Sequence, residues 1–128
     1  MASILLVDDE ASDLRLMQDA LARAGYETVT ASSGEEALRT YRKNDIDLVI
    51  TDLQMGDLHG LELISIFSDF TPPPRVIAVS ATGSFHLDMA GSLGARWTLL
   101  KPVDPQLLVR AVKRALENVE DATSLGSG

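Results

Sequence analysis

The sequence predicts an α/β domain: an open, doubly wound parallel sheet of five strands with five helices packed on its two faces. Three observations predict it. Short apolar runs rich in branched residues recur five times, and each alternates with a segment of helical three-and-four spacing. The runs are apolar throughout, as strands covered on both faces are. The connections are short, which calls for right-handed crossovers between parallel neighbours. A chain of 128 residues with 45% hydrophobic content suits one domain with one core.

Ile4 to Val7 is the first strand. Leu14, Met17 and Leu21 then form the apolar stripe of a helix over Ala11 to Ala24, which Gly25 terminates. Tyr26 to Ala31 is the second strand; Ser32, Ser33 and Gly34 open a helix running to about Lys43, with Glu35 and Glu36 where a capping box wants them. Asp47 to Thr51 is the third strand, followed by an acid, Asp52, and Gly60 to about Ser68 is helical. Pro72, Pro73 and Pro74 cannot continue that helix and fix an extended linker. Val76 to Ser80 is the fourth strand, and Ser84 to Leu93 the fourth helix, weakened by its glycine Gly91 and by Gly83 just before it. Trp97 to Leu100 is the fifth strand, and Pro105 opens a last helix with Leu108, Val112, Ala115 and Val119 on its buried side. Residues 119–128 read as a flexible tail or an appended remnant outside the fold.

In open sheets of this kind ligands bind beyond the carboxyl ends of the strands. Asp8, Asp9, Asp52, Ser80 and Lys101 all lie at or just past those ends, so they are expected on one rim. Carboxylates about 4 Å apart repel by roughly 4 kcal/mol per pair at an effective dielectric near 20. Such a cluster must take up a proton or a cation, and its hard oxygen-only character points to Mg²⁺ or a similar ion such as Mn²⁺. A cation site, the Lys101 ammonium and the Ser80 hydroxyl together suit a transferring phosphoryl group, and Asp52 is the carboxylate placed to accept it.

Composition excludes other classes. With no cysteine there is neither a disulfide nor a thiolate metal site. A net charge of -8 argues against a nucleic-acid surface, which needs Lys and Arg against phosphate. MASILLVDD has neither the basic segment nor the long apolar run of a secretory signal or membrane span, so a cytoplasmic location is expected.

The ordered set VDDE, DLVITDLQM, the Met55 to Gly60 loop, VSAT and KPV, covering about residues 3–118, resembles the response-regulator receiver domains of two-component signalling. The resemblance implies a flavodoxin-like sheet order of 2-1-3-4-5. It implies Asp52 as phosphoacceptor; Asp8, Asp9, Asp52 and the backbone carbonyl of Gln54 as metal ligands; and Ser80 and Lys101 as phosphoryl-binding residues, Lys101 pairing with Asp52 beforehand. It further implies a cis peptide before Pro102 and a phosphohistidine donor on a histidine kinase or phosphotransfer protein. Output would use the face of the fourth helix, fifth strand and fifth helix, in a monomer or weak dimer. The domain would signal and would catalyse only its own phosphorylation and dephosphorylation. The chain is expected to be a stand-alone receiver or part of a larger protein such as a hybrid kinase.

Several positions bear on how far the family pattern carries over. Gly56 stands where proline is common, and His59 where an acid is common and reads as a loop residue. Thr98 replaces a frequent aromatic switch residue, and Trp97 beside it must face the other way, as packing or partner surface. Gln54 and Thr82 flank the approach of water and carry no charge, which leaves the lifetime of the phosphorylated state open. Two rivals stand beside this reading. A flavin- or nucleotide-binding protein would cradle phosphate where this chain puts Asp8, Asp9 and Glu10. A degenerate receiver would act by dimerisation or docking alone. Glu10 itself reads as a first-turn acid favoured by the dipole of the first helix.

Overall fold

The computed structural model describes residues 2–54, 60–81 and 84–117. Ten elements alternate: β1 (Ser3–Val7), α1 (Ala11–Arg23), β2 (Glu27–Ala31), α2 (Gly34–Lys43), β3 (Leu48–Asp52), α3 (Gly60–Ser68), β4 (Arg75–Ser80), α4 (Ser84–Leu93), β5 (Trp97–Leu100) and α5 (Pro105–Glu117). The strands form one parallel sheet in the order β2-β1-β3-β4-β5. Each expected element is present, with ends moved by a residue or so. Met55, Gly56, His59, Thr82, Gly83 and Val119, and the 119–128 tail, lie outside the described residues.

Alternation along the strands sorts the core into two layers. Ile4, Leu6, Leu48, Ile50, Ile77 and Val79 point to the α1/α5 side, where Met17, Leu21, Leu108 and Val112 meet them. Leu5, Val7, Val49, Val76 and Ala78 point the other way, against Leu63, Ile64, Phe67 and Ala90. Each fully buried aliphatic side chain contributes roughly 1.5–3 kcal/mol relative to exposure. β5 is an edge strand, as β2 is at the other side, and is only half covered. Trp97 and Leu99 pack into the α1/α5 layer, while Thr98 and Leu100 are exposed.

Local signals work as the sequence leads one to expect. Gly25 (φ +93) ends α1 in a Schellman motif: its N–H donates to the Ala22 carbonyl and that of Tyr26 to the Leu21 carbonyl, both at 3.0 Å. Ser33 caps α2 by accepting from the Glu36 N–H at 3.1 Å. Glu36 reaches back one residue further than a strict capping box, accepting from the Ser32 N–H and hydroxyl. The Lys101–Pro102 peptide is cis, as the resemblance implies, and so is Thr71–Pro72 in the proline run.

One local expectation needs correction. Glu10 is the residue before α1, extended (φ -94, ψ 112), with no side-chain capping bond; the acid in the first turn is Asp13. The helix starts at Ala11, as expected, and the Glu10 N–H just before it donates to Asp8 Oδ1 at 2.9 Å.

Candidate functional site

Register builds the site. Val7 pairs with Thr51 and Thr51 with Ala78, so one step further along the strands Asp8 and Asp52 lie side by side. Asp52 continues the parity of Leu48 and Ile50, Asp8 that of Ile4 and Leu6, and Lys101 that of Trp97 and Leu99. All three therefore leave the sheet on the α1/α5 side. Ser80 continues the parity of Ala78 and comes from the opposite side, fully buried.

Asp8 is fully buried at the end of β1, with its backbone N–H on the Ala31 carbonyl at 3.1 Å. Asp52 is 3% exposed, and its Oδ1 accepts from the Gln54 N–H at 3.3 Å. Asp9 is exposed on the rim. Carboxylate oxygens of Asp8, Asp9 and Asp52 lie within 4.8 Å of one another, and among the described residues this is the group able to hold a metal ion. Three hard oxygen donors without His or Cys fit Mg²⁺ or Mn²⁺.

Lys101 supplies the positive charge. Its backbone N–H continues the β4–β5 pairing onto the Ser80 carbonyl at 2.8 Å, which fixes where the side chain starts. Its Nζ lies 2.8 Å from Asp8 Oδ2, 2.8 Å from Asp13 Oδ2 and 3.4 Å from Asp52 Oδ2. The expected pairing with Asp52 is thus the longest of three. Burial pulls the Lys101 ammonium toward neutrality, but the hydrogen bonds to Asp13 and Asp8 and the charge of Asp52 outweigh it and raise its pKa above the ordinary lysine value. Burial, and then the neighbouring Asp8 charge, push Asp52 up from 3.8 to about 6; Lys101 and the Gln54 N–H oppose this only in part.

Loop backbones complete the rim. The Gly60 N–H donates to the Leu53 carbonyl at 3.3 Å. A Cβ on Gly60 would stand 2.6 Å from Leu53 Cα and against the Asp52 carbonyl oxygen, so the start of α3 sits directly on the backbone that carries Asp52. The Gln54 side chain reaches across to β4, its Oε1 accepting from the Ala81 N–H at 3.4 Å. Sequence reasoning missed Asp13. No spacing in the sequence marks it, because the lysine that Asp13 meets lies 88 residues further along the chain.

The family model of the response regulator receiver domain matches residues 4–113. The transcriptional regulatory protein GlrR of Escherichia coli is 38% identical over 123 residues, which cover 95% of this chain and 28% of that protein. The chemotaxis protein CheY of Thermotoga maritima is 30% identical over 113 residues, covering 87% of this chain and 94% of that one. Among solved structures, a response regulator, TrrA of Thermotoga maritima in complex with Mg²⁺ and beryllofluoride, superposes with a TM-score of 0.83 at 32% identity, covering 91% of this chain and all of that one. The sheet order, the acid pair, the buried Asp52 and the matched family model agree, and the chain belongs to the response regulator receiver domain family.

Proposed function

We propose that this domain accepts a phosphoryl group on Asp52 in a Mg²⁺-dependent reaction and signals by the resulting change in conformation. The observation that carries the reading is the junction of a buried acceptor, two further acids and an ammonium within one rim. A carboxylate oxygen of Asp52 attacks phosphorus, the bond from phosphorus to the donor breaks, and the leaving group departs: an imidazole from a phosphohistidine, or acetate from acetyl phosphate. Asp8, Asp9, Asp52 and the Gln54 backbone carbonyl would hold the metal, whose charge offsets that of the acids and of the phosphoryl oxygens. Lys101 and the Ser80 hydroxyl bind phosphoryl oxygens, so positive charge and a donor face the negative charge being moved.

The natural donor is a histidine kinase or phosphotransfer protein. Output passes through the α4/β5/α5 face, where Leu100 and Leu107 are 55% and 49% exposed and line, with Thr98 and Pro102, an open cavity of about 600 Å³. A related solved structure is that of a beryllofluoride-activated NtrC4 receiver domain dimer. The chain spans about half or less of several curated relatives, 28% of GlrR among them, so the transcriptional regulation in their names is not assigned to these residues. The net charge of -8 supports a surface that avoids nucleic acid.

Intact-mass analysis after incubation with acetyl phosphate and Mg²⁺ tests the reading. One added phosphoryl group is expected, absent in Asp52→Asn and absent when the metal is chelated. No addition would leave the domain as a docking module that works without phosphorylation, and equal addition in Asp52→Asn would move the acceptor to another residue.

A further inference from the structure

An ammonium has three hydrogens to donate, and Lys101 faces three carboxylates with them. Two of those acids belong to the chemistry proposed above: Asp8 lies in the metal-binding group and Asp52 is the acceptor. Asp13 belongs to neither. It stands on the first turn of α1, outside the three-carboxylate group, yet it holds Nζ as closely as Asp8 does, at 2.8 Å. A cation on Asp8 and a phosphoryl group on Asp52 would each take away one partner of the lysine. Asp13 is the partner that remains.

We propose that Asp13 is a positioning residue that restrains Lys101: it holds the ammonium against α1, and an incoming phosphoryl oxygen must compete with the Asp13 carboxylate for the same N–H. The inference rests on the phosphoacceptor reading of Asp52. Geometry favours a real restraint over a passing surface contact, because the lysine side chain is only 13% exposed and its start is fixed by the backbone hydrogen bond to the Ser80 carbonyl. The carboxylate itself is 36% exposed, so it can turn to water when the lysine leaves. A fully buried partner would have no such release.

The test is the initial rate of Asp52 phosphorylation by acetyl phosphate, read by intact mass at saturating Mg²⁺ established for each variant. Asp13→Asn keeps shape and removes the charge; it is expected to raise the second-order rate constant about three- to tenfold, the range set by one charge-assisted hydrogen bond at a partly exposed site. Asp13→Glu is expected to stay near the original rate. The gain is expected to vanish when Asp13→Asn is combined with Lys101→Met, since the effect acts through the lysine. An unchanged or slower Asp13→Asn protein overturns the proposal. So does an equal gain in the Lys101→Met background, which would mark a general field effect. If the unaltered protein takes up no phosphoryl group, the acceptor reading itself falls and the restraint with it.

Discussion

Asp52 shows how one residue ties stability to function. Its folded pKa of about 6 exceeds its ordinary value of 3.8, so the folded protein keeps the proton over a range where the unfolded chain has lost it. The stability this provides is full below about pH 4 and is lost as pH rises through about 6. Two pKa units correspond to about 3 kcal/mol. Urea denaturation without metal should therefore find Asp52→Asn more stable than the parent by about 2–3 kcal/mol at pH 7.5, with the difference gone at pH 4. Lys101 works in the opposite sense. Lys101→Ala leaves Asp8 fully buried without its cation, and should lower metal-free stability at pH 7.5 by about 3 kcal/mol, a loss that Mg²⁺ partly restores. Sequence motifs marked Asp52, Asp8 and Lys101, but no residue-level reading could grade three lysine contacts by distance. Spacing is silent about a contact across 88 residues, which is why Asp13 was overlooked.

At the scale of elements, apolar runs and caps decide where strands and helices form, while close approach between backbones decides how they sit. Ser33→Ala removes a side-chain acceptor from an α2 N–H and should cost about 1 kcal/mol, with Asp52 phosphorylation unchanged. Gly60→Ala should behave differently. Its methyl would press on the Asp52 and Leu53 backbone, so a loss of about 2 kcal/mol should come with slower phosphorylation, measurable by denaturation and by intact mass together. The sequence named Ser33 as a helix opener and put Gly60 where a loop meets the third helix. Only the first could be argued from local chemistry, because the second depends on which backbone lies across from it. Thr98 and Trp97 are an intermediate case. Alternation predicted opposite faces for them, and Trp97 does pack into the α1/α5 layer while Thr98 is exposed.

For the whole molecule, ligand linkage gives the broadest prediction. Mg²⁺ at about 100 times its dissociation constant should raise the unfolding free energy by about 2.7 kcal/mol, and the gain should shrink in Asp9→Asn, which alters an exposed member of the acid group and leaves the core intact. Leu100→Ser combined with Leu107→Ser should weaken self-association or partner binding without changing the rate at which Asp52 is phosphorylated, as sedimentation and intact mass would show. No helix among the described residues is long and apolar enough to cross a membrane. What the sequence determined by itself is the periodic and ordered part: five strands alternating with five helices, and the acids, hydroxyl and lysine at strand ends. Those follow from local spacing and from motifs in a fixed order. What only the tertiary structure decided is which of these groups touch. Sheet order and register set Asp8 beside Asp52 and send both, with Lys101, toward α1, and there the strong short-range attraction between an ammonium and a carboxylate brings in Asp13, a residue that spacing alone leaves on a helix surface.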